Sequence, residues 1–466
     1  MLAIILILAV ALRIAGACND LWLDEIWSLT TVRGISSPWD VFTKIHLDNN
    51  HYLSSLWLYF FREHGNWVGF RVPSIVAGLG CVMLAGSIGA RYNARAAWIA
   101  MFLFTFSYVQ ILYSSEARGY SEVVFFSLAS WLALSKYLDR PGWLWAAIFS
   151  LSSILGFAAD ILFLIFYGVA VLWSAWRFFA RKDNKAAIAR SILACHAAPL
   201  AFFAALYWVD LRHIIVGGGT PASLPIVFTN SLAWTFGFLP RPLTILVAIV
   251  TVALFVHGAI CMVRRQEIDL LVFYSAVIFV IPILLILLHA SDAIYVRHFF
   301  IGMSFMLIVS SCALADLYDR ASLPRITCFA LLTAFCALNA WQTLSLFKYG
   351  RGNDSEAVQF MIDKTKGPEA TFGSDHDFRI SLVLQFYIEQ VTGDKTVKYF
   401  QLNSWPRTGP EWVIHHKESF VDPTSEKQFT DNAGNIYECV KIYPTAPLSG
   451  LHWFIYHNTS TNFSRL

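Results

Sequence analysis

The sequence predicts an all-α polytopic membrane protein with about eleven transmembrane helices, interfacial helices in the first external loop, and a small C-terminal α/β external domain. Its 466 residues are 57% hydrophobic and only 14% charged, whereas a soluble domain is typically about 25% charged. Residues 351–466 nevertheless hold 11 of the 34 Lys and Arg and 14 of the 31 Asp and Glu. This composition excludes a soluble cytosolic enzyme, a disordered chain and a small disulfide scaffold. The net charge of +3 does not favour nucleic-acid binding.

The transmembrane helices are predicted from apolar runs, because a helix needs about 20 apolar residues to cross a bilayer. Eleven stretches approach this length: 1–18, 71–90, 96–113, 121–138, 143–158, 160–178, 190–208, 242–262, 270–288, 299–317 and 326–344. We expect the first to be a retained span, since no small-residue cleavage site precedes a hydrophilic mature domain. The predicted domains are a transmembrane domain at 1–350, with a first external loop at 19–70, and a second domain at 351–466.

The orientation follows from the basic residues of the short loops. The loops on one side of the eleven spans hold thirteen Lys and Arg, and the longer loops on the other side hold fewer. Because Lys and Arg accumulate in cytoplasmic loops, the first side is predicted to be cytoplasmic. An odd number of spans then places the N-terminus inside and the C-terminal domain outside.

The external segments carry their own predictions. The aromatic and apolar run 53–61 predicts a helix lying in the membrane interface. The loop 209–241, with three consecutive glycines and several prolines, predicts a mobile segment. The C-terminal segment alternates short β-rich runs with one helix, which predicts a small α/β domain. The expected elements are a helix at 354–366 and strands at 397–400, 412–415, 437–443 and 452–456.

Cysteine usage indicates packing rather than chemistry. Seven of the eight cysteines lie in or beside apolar runs, and only Cys439 lies in the C-terminal domain. That domain therefore cannot form an internal disulfide. No cysteine spacing resembles a zinc site, and buried cysteines usually behave as small hydrophobic residues.

Charged residues beside membrane spans are costly, so their positions indicate candidate sites. The adjacent carboxylates Asp24 and Glu25 follow the first span, Glu116 and Arg118 lie between two apolar spans, and Arg297 lies at the entry to another. A carboxylate can take a proton from an attacking hydroxyl, and arginine can hold an anionic leaving group. This combination fits transfer from a phosphorylated lipid, but it also fits anion or proton-coupled transport. Solvation of a loop start and interfacial anchoring are the structural alternatives.

Four motifs in order resemble the GT-C glycosyltransferases that use polyprenyl-phosphate sugars. This family includes the protein O-mannosyltransferases, the lipid A aminoarabinose transferase and the rhizobial galacturonosyltransferases. The motifs are Leu21-Trp22-Leu23-Asp24-Glu25, Asn50-His51-Tyr52, Phe70-Arg71-Val72-Pro73-Ser74, and Tyr113-Ser114-Ser115-Glu116-Ala117-Arg118-Gly119-Tyr120. More loosely, Tyr295-Val296-Arg297-His298 is similar to the family's Arg-Tyr segment. One departure is Tyr52-Leu53-Ser54-Ser55, where the family usually has prolines after the histidine.

The resemblance implies roles for individual residues. Asp24 would be the general base, and Glu25 would support it or touch the acceptor. Arg118, together with Arg71 and Arg297, would neutralise the lipid phosphate. Glu116 and His51 would shape the site or hold a metal, and Tyr120, Tyr295 and His298 would belong to the substrate-binding set. Family members differ in metal use, so the resemblance requires no cofactor and leaves a divalent metal open.

The resemblance also implies partners and a location. The expected partners are a polyprenyl-phosphate sugar donor, membrane lipids, and a glycan, lipid or protein acceptor, with transfer that inverts the sugar's anomeric centre. The chain's size is more like that of the bacterial members, which predicts a multi-pass protein of the bacterial inner membrane with a periplasmic C-terminal domain. The alternatives are a transporter or flippase of an anionic lipid-linked substrate, and a membrane anchor for a binding module. The clustering of charges on one face favours the enzyme.

Overall fold

The computed structural model describes residues 1–466 except 181–184, 218, 220–221, 241, 281, 285–286, 288–293, 391–394, 420–422 and 461–466. The chain forms two compact units. The first, here called the membrane unit, comprises Met1–Ala15 and Thr31–Trp341. The second, here called the tail unit, comprises Gly16–Thr30 and Gln342–Leu466. The prediction placed one boundary at residue 350, whereas the structure also groups Gly16–Thr30 with the C-terminal segment. The division into a catalytic and a periplasmic domain stays a prediction.

Helices account for nearly all regular structure up to Tyr349. They are α1 Leu2–Ala17, α2 Leu23–Arg33, α3 Asp40–Thr43, α4 Tyr52–Phe61, α5 Trp67–Phe70, α6 Val72–Gly89, α7 Ala94–Phe106, α8 Tyr108–Tyr113, α9 Tyr120–Asp139, α10 Trp143–Ala159, α11 Phe163–Ala180, α12 Lys185–Val209, α13 Leu224–Phe236, α14 Leu243–Arg264, α15 Ile268–Ser275, α16 Phe300–Asp319 and α17 Ser322–Tyr349. A π-helical turn, Ala276–Val280, follows α15. A 3-10 turn, Val296–Phe299, precedes α16.

The apolar helices match the predicted membrane character. Among the described residues, six helical stretches are long and apolar enough to cross a bilayer, and shorter apolar helices accompany them. The predicted stretch 96–113 is interrupted at Ser107, whose extended backbone separates α7 from α8. The end of the predicted stretch 270–288 lies partly outside the described residues. The number of eleven spans and the orientation stay predictions.

The prediction of a mobile segment over 209–241 is wrong for its second half, which forms helix α13. Pro225 stands in the first turn of α13, where a missing backbone N–H costs nothing because that N–H has no partner within the helix. Gly237 ends the helix at a positive φ of 141°. Asn339 of α17 then donates from Nδ2 to the carbonyl of Phe236 at 2.8 Å. The flanking glycines and prolines concealed an apolar, partly buried helix between them.

The first external loop is tied to the segment that follows α12. Asp210 is fully buried and accepts a hydrogen bond from the hydroxyl of Tyr52. Its other oxygen lies 2.5 Å from Nδ1 of His46. The backbone of Leu47 pairs with that of Ile215. These contacts fix the loop on which α4 begins, so α4 is positioned by side-chain pairing as well as by its apolar surface.

The tail unit contains one mixed sheet with strand order β2-β1-β3-β6-β5-β4. The strands are β1 Glu369–Ser374, β2 Thr396–Tyr399, β3 Trp412–Glu418, β4 Gln428–Thr430, β5 Ile436–Tyr443 and β6 Leu451–Asn458. Strands β2, β1 and β3 are parallel, and the remaining pairs are antiparallel. Two helices, α18 Asp354–Lys364 and α19 Asp377–Ile388, belong to the same unit. The predicted α/β character, the helix and the four strands are confirmed, whereas β1, β4 and α19 were not predicted.

Candidate active site

The predicted site residues divide between the two compact units. His51, Arg71, Glu116, Arg118, Tyr120, Tyr295, Arg297 and His298 belong to the membrane unit, whereas Asp24 and Glu25 belong to the tail unit. Within the membrane unit, several of these side chains meet although they come from distant parts of the sequence. We call His51, Arg118, Tyr120, Asp160 and Arg297 the arginine cluster.

His51 joins an arginine to a carboxylate inside the membrane unit. Nε and Nη2 of Arg118 lie 3.2 and 3.0 Å from Nε2 of His51. Nδ1 of His51 lies 3.1 Å from Oδ2 of Asp160. Since Arg118 can only donate, Nε2 of His51 accepts and the proton of the neutral ring is on Nδ1, which donates to Asp160. All three side chains are buried, so the chain Asp160–His51–Arg118 fixes the direction of the guanidinium.

A second arginine approaches the same aromatic ring. Cζ of Arg118 lies 4.9 Å from the ring centroid of Tyr120, and Cζ of Arg297 lies 5.9 Å from it. Arg297 also lies over the ring of Tyr295 at 4.4 Å. The ring of His51 meets Tyr120 edge to face at 5.1 Å. Two guanidinium groups therefore approach one ring, and guanidinium groups match the geometry of a phosphate.

The turn before α9 lies close to His51 because its backbone at Gly119 packs against the backbone of Ala159. A Cβ added to Gly119 would lie 2.0 Å from the carbonyl oxygen of Ala159 and 3.1 Å from Nδ1 of His51. The φ of Gly119 is −72°, so space rather than backbone conformation requires glycine here. From the other side, Ser74 donates from Oγ to the carbonyl of Arg118 at 2.9 Å. The sequence motifs around residues 51, 74 and 118 are therefore in direct contact.

Asp160 was not predicted as a site residue. It follows α10, and α11 begins only at Phe163, so it lies between the two helices rather than inside the predicted span 160–178. Burial alone would raise the pKa of its carboxyl, but His51 and Arg118 more than offset this, and the pKa lies below its usual value. Asp160 is therefore ionised at neutral pH. The available sequence signal was an isolated acidic residue between two apolar runs.

The remaining predicted substrate-binding residues are Arg71, Glu116, Tyr295 and His298, and they differ in how far their side chains are exposed. Arg71 is fully buried at the start of α6, and Glu116 is 1% exposed in the turn that also contains Arg118. Tyr295 caps the 3-10 turn before α16, and His298 is the third residue of that turn. The backbone N–H of Tyr295 donates to Nδ1 of His298 at 3.4 Å. His298 therefore helps to fix the backbone that presents Arg297.

Asp24 and Glu25 stand in the first turn of α2, where the helix dipole favours negative charge. Glu25 is buried, and its Oε2 accepts from the backbone N–H of Trp22 at 3.3 Å. This is the return contact of a capping box, which starts the helix. Asp24 is partly exposed. Glu25 therefore stabilises the start of α2, and Asp24 is the more accessible of the two carboxylates.

The segment that carries these carboxylates, Gly16–Thr30, is held by the C-terminal part of its own unit. We call it the carboxylate segment. Arg351 is fully buried and donates from Nη1 to the carbonyl of Gly16 and to Oδ1 of Asn19, both at 3.2 Å. The hydroxyl of Tyr387 donates to the carbonyl of Leu21 at 2.7 Å. Both contacts reach the chain just before α2, so they fix the start of the helix that presents Asp24.

Two further contacts extend this attachment. The backbone N–H of Ser355 donates to Oδ2 of Asp20 at 2.8 Å. The rings of Trp27 and Phe378 meet edge to face with centroids 5.4 Å apart. Sequence reasoning assigned no such role to the C-terminal residues, because long-range pairing of this kind leaves no local pattern.

Metal binding by the predicted residues is not supported by a ligand set. Among the described residues, the group of side chains placed to share a metal ion is His257, Cys261 and Asp316. It includes neither His51 nor Glu116. A metal role for those two residues stays a prediction.

Comparison with known proteins finds similar folds without similar sequences. No family model and no curated protein sequence matches the chain. The structure is similar to ArnT from Cupriavidus metallidurans in the apo state, with a TM-score of 0.54 and 10% identity over 97% of each chain. It is also similar to ArnT from the same organism bound to undecaprenyl phosphate, with a TM-score of 0.49, 10% identity and 98% of each chain covered.

A third similar structure is the archaeal oligosaccharyltransferase AglB from Archaeoglobus fulgidus in complex with an inhibitory peptide and a dolichol-phosphate. Its TM-score is 0.47 with 12% identity, over 88% of this chain and 69% of AglB. The likeness to apo ArnT spans both the helices and the C-terminal sheet. It shows that the chain has the fold of a GT-C protein, so the predicted resemblance is confirmed at the level of the fold.

Proposed function

We propose that this GT-C-fold chain is a membrane glycosyltransferase that moves one sugar from a polyprenyl-phosphate carrier to an acceptor on the periplasmic face. The arginine cluster is the observation that carries this proposal. Arg118 and Arg297 approach one tyrosine ring, and Arg118 is oriented by the buried chain Asp160–His51. Guanidinium groups match the geometry of a phosphate group and can bind it bidentately. The ArnT-like fold supports the same class of reaction.

The proposed reaction is a single displacement at the anomeric carbon of the sugar. The carboxylate of Asp24 takes the proton of the acceptor hydroxyl, whose oxygen forms a bond to that carbon as the bond to the phosphate oxygen breaks. The electron pair leaves with polyprenyl phosphate, whose negative charge Arg118 and Arg297 stabilise. The configuration at the anomeric carbon is inverted, and no protein nucleophile is needed. The acceptor is a glycan, lipid or protein, and membrane lipids surround the helices.

The test is release of polyprenyl phosphate. The purified full chain is incubated in detergent with a panel of polyprenyl-phosphate sugars and a membrane extract as the source of acceptor. At least one donor should be consumed by the wild type, and Asp24→Asn should slow its consumption by about 100- to 10,000-fold, the usual contribution of a general base. A chain that consumes no donor but moves a lipid-linked substrate across liposomes would be a transporter, and the proposal would be wrong.

A further inference from the structure

A second group of chemistry-bearing side chains lies at another part of the membrane unit, at the ends of α14 and α16. His257 and Cys261 are four residues apart on α14, and so share one face of the helix. Asp316 lies in the last turn of α16. This end of the two helices borders Arg264, Arg265 and Arg320, which the charge rule assigns to the cytoplasmic side. The group takes no part in the proposed transfer reaction.

Close helix packing brings the three side chains together. A Cβ added to Gly258 would lie 2.6 Å from Cγ1 and 2.9 Å from the carbonyl oxygen of Val309, so the two helix backbones approach closely beside His257. Nε2 of His257 lies 2.8 Å from Oδ2 of Asp316. One nitrogen, one sulfur and one oxygen atom of His257, Cys261 and Asp316 all lie within 4.8 Å of one another.

The three atoms are near enough to share one small tetrahedral ion once His257 and Asp316, now 2.8 Å apart, separate slightly. Bonds of about 2.0–2.3 Å to zinc place neighbouring ligand atoms roughly 3.3–3.8 Å apart. The mixed nitrogen, sulfur and oxygen set excludes magnesium and calcium, which prefer oxygen alone, and suits zinc, which takes all three. Cys261 is 2% exposed, whereas the side chains of His257 and Asp316 are each 23% exposed. The group is therefore more open at His257 and Asp316 than at the thiol.

We propose that His257, Cys261 and Asp316 bind one zinc-class divalent ion that ties α14 to α16. Binding forms a sulfur–metal bond and breaks the S–H bond of Cys261, so one proton is released to solvent. Tyr92 is a further neighbour of Cys261. Arg320, whose Nη2 lies 2.7 Å from Oδ2 of Asp316, must move to the second carboxylate oxygen or to solvent. The competing explanation is a histidine–aspartate–arginine ion pair beside a packed thiol, and the test separates the two by the behaviour of Cys261.

The test uses Co²⁺ alone as the probe, because a cobalt–thiolate bond adds an absorption band in the near ultraviolet. The full chain is purified in detergent, treated with a chelator, dialysed and titrated with Co²⁺, and Zn²⁺ is then added in competition. The expected result is one equivalent of Co²⁺ with the thiolate band, which Zn²⁺ removes. Cys261→Ser should abolish the band. His257→Gln should weaken Co²⁺ binding by at least the roughly 10- to 100-fold that loss of an outer-shell partner costs.

Matched controls exist in α12, where Cys195 and His196 are buried neighbours. Cys195→Ser and His196→Gln should leave the band and the affinity unchanged. If Cys261→Ser does not fold, Cys261→Ala and His257→Gln still decide the question, since each removes one ligand without adding charge. The absence of a thiolate band in the wild type, or a band that persists in every Cys261 variant, would overturn the proposal. Neither result depends on whether the chain transfers sugars.

Discussion

The arginine cluster and the carboxylate segment are built in different ways. The arginine cluster is held by side chains, since His51 and Asp160 orient Arg118 through buried polar contacts. The carboxylate segment is held mainly through its backbone, since Arg351 and Tyr387 donate to carbonyls before α2. A buried charged network is rigid and sensitive to the loss of any partner. The carboxylate segment is held by its backbone and presents a partly exposed Asp24. The position of Asp24 should therefore depend on the C-terminal residues that hold this backbone.

This difference suggests a division of labour. Binding of the lipid phosphate should depend on the membrane unit, whereas activation of the acceptor should depend on the tail unit. Substitutions in the two regions should therefore separate donor affinity from turnover.

The largest effect on the arginine cluster is expected from Arg118→Gln. Loss of the guanidinium removes a charge-assisted donor to the leaving phosphate, and turnover should fall about 100- to 1000-fold. Affinity for polyprenyl phosphate should fall as well, measured by binding of a labelled lipid in detergent. Arg212→Gln is the matched control, because Arg212 stacks on Trp208 outside the cluster and should bind lipid normally. Normal lipid affinity in Arg118→Gln would show that another group holds the phosphate.

A smaller effect is expected from Asp160→Asn. The asparagine amide has no negative charge to place beside His51 and Arg118. The variant therefore loses a hydrogen bond to a charged group, which contributes about 1.5–3 kcal/mol. Lipid affinity should therefore fall about 10- to 100-fold, with the fold of the chain retained. Because the pKa of Asp160 is depressed, its contribution is complete above the usual aspartate pKa and is lost only as the pH falls through the lower folded value. Wild-type lipid affinity that falls already between pH 7 and pH 5, with no such fall in Asp160→Asn, would contradict a depressed pKa for Asp160. An equal fall in both proteins would assign the pH dependence to another group.

Gly119→Ala should act on the same cluster through space. The added methyl would collide with the carbonyl of Ala159, and overpacking of this kind costs about 1–3 kcal/mol. The midpoint of thermal unfolding and the lipid affinity should both fall. Gly142→Ala is the control, since a Cβ there meets nothing within 4 Å. Equal behaviour of the two alanine variants would mean that the turn before α9 relaxes without cost.

Arg351→Lys should produce the smallest effect and only on turnover. Lysine keeps the charge but cannot reach Gly16 and Asn19 in the same planar geometry. We expect turnover to fall about fivefold, the kinetic equivalent of the roughly 1 kcal/mol that one hydrogen bond contributes. Lipid affinity should be unchanged. Arg407→Lys, at an exposed position of the same unit, is the control and should match the wild type in both assays. A loss of lipid affinity in Arg351→Lys would contradict the division of labour between the two regions.

The sequence predicted the helical body well because each apolar run carries its own signal. The α/β character of the C-terminal segment was also visible in its alternation. Helix α13 was missed because glycine and proline at its ends indicated a loop. Asp160 was missed because its importance comes from His51 and Arg118, which are distant in sequence. Arg118 and Arg297 were predicted from their charge beside apolar spans, and His51 and Tyr120 from motif resemblance. No local pattern states that residues 51, 118 and 297 meet.

The attachment of the carboxylate segment could not be predicted for the same reason. Arg351 is one basic residue among many in a charged segment, and only its buried contacts with Gly16 and Asn19 distinguish it. Glu25 was predicted to support Asp24 or to touch the acceptor, and this role stays a prediction. Its contact with the backbone N–H of Trp22 starts the helix that carries both carboxylates. The catalytic role of Asp24 itself stays a prediction.

The most direct test measures lipid affinity and turnover in parallel for Asp24→Asn and Arg118→Gln. Both variants are purified as full chains, and binding of labelled polyprenyl phosphate is compared with release of polyprenyl phosphate from the donor. Asp24→Asn should bind the lipid as the wild type does and fail to turn over, whereas Arg118→Gln should lose both. Turnover by Asp24→Asn at the wild-type rate, or an equal loss of lipid affinity in both variants, would contradict the account.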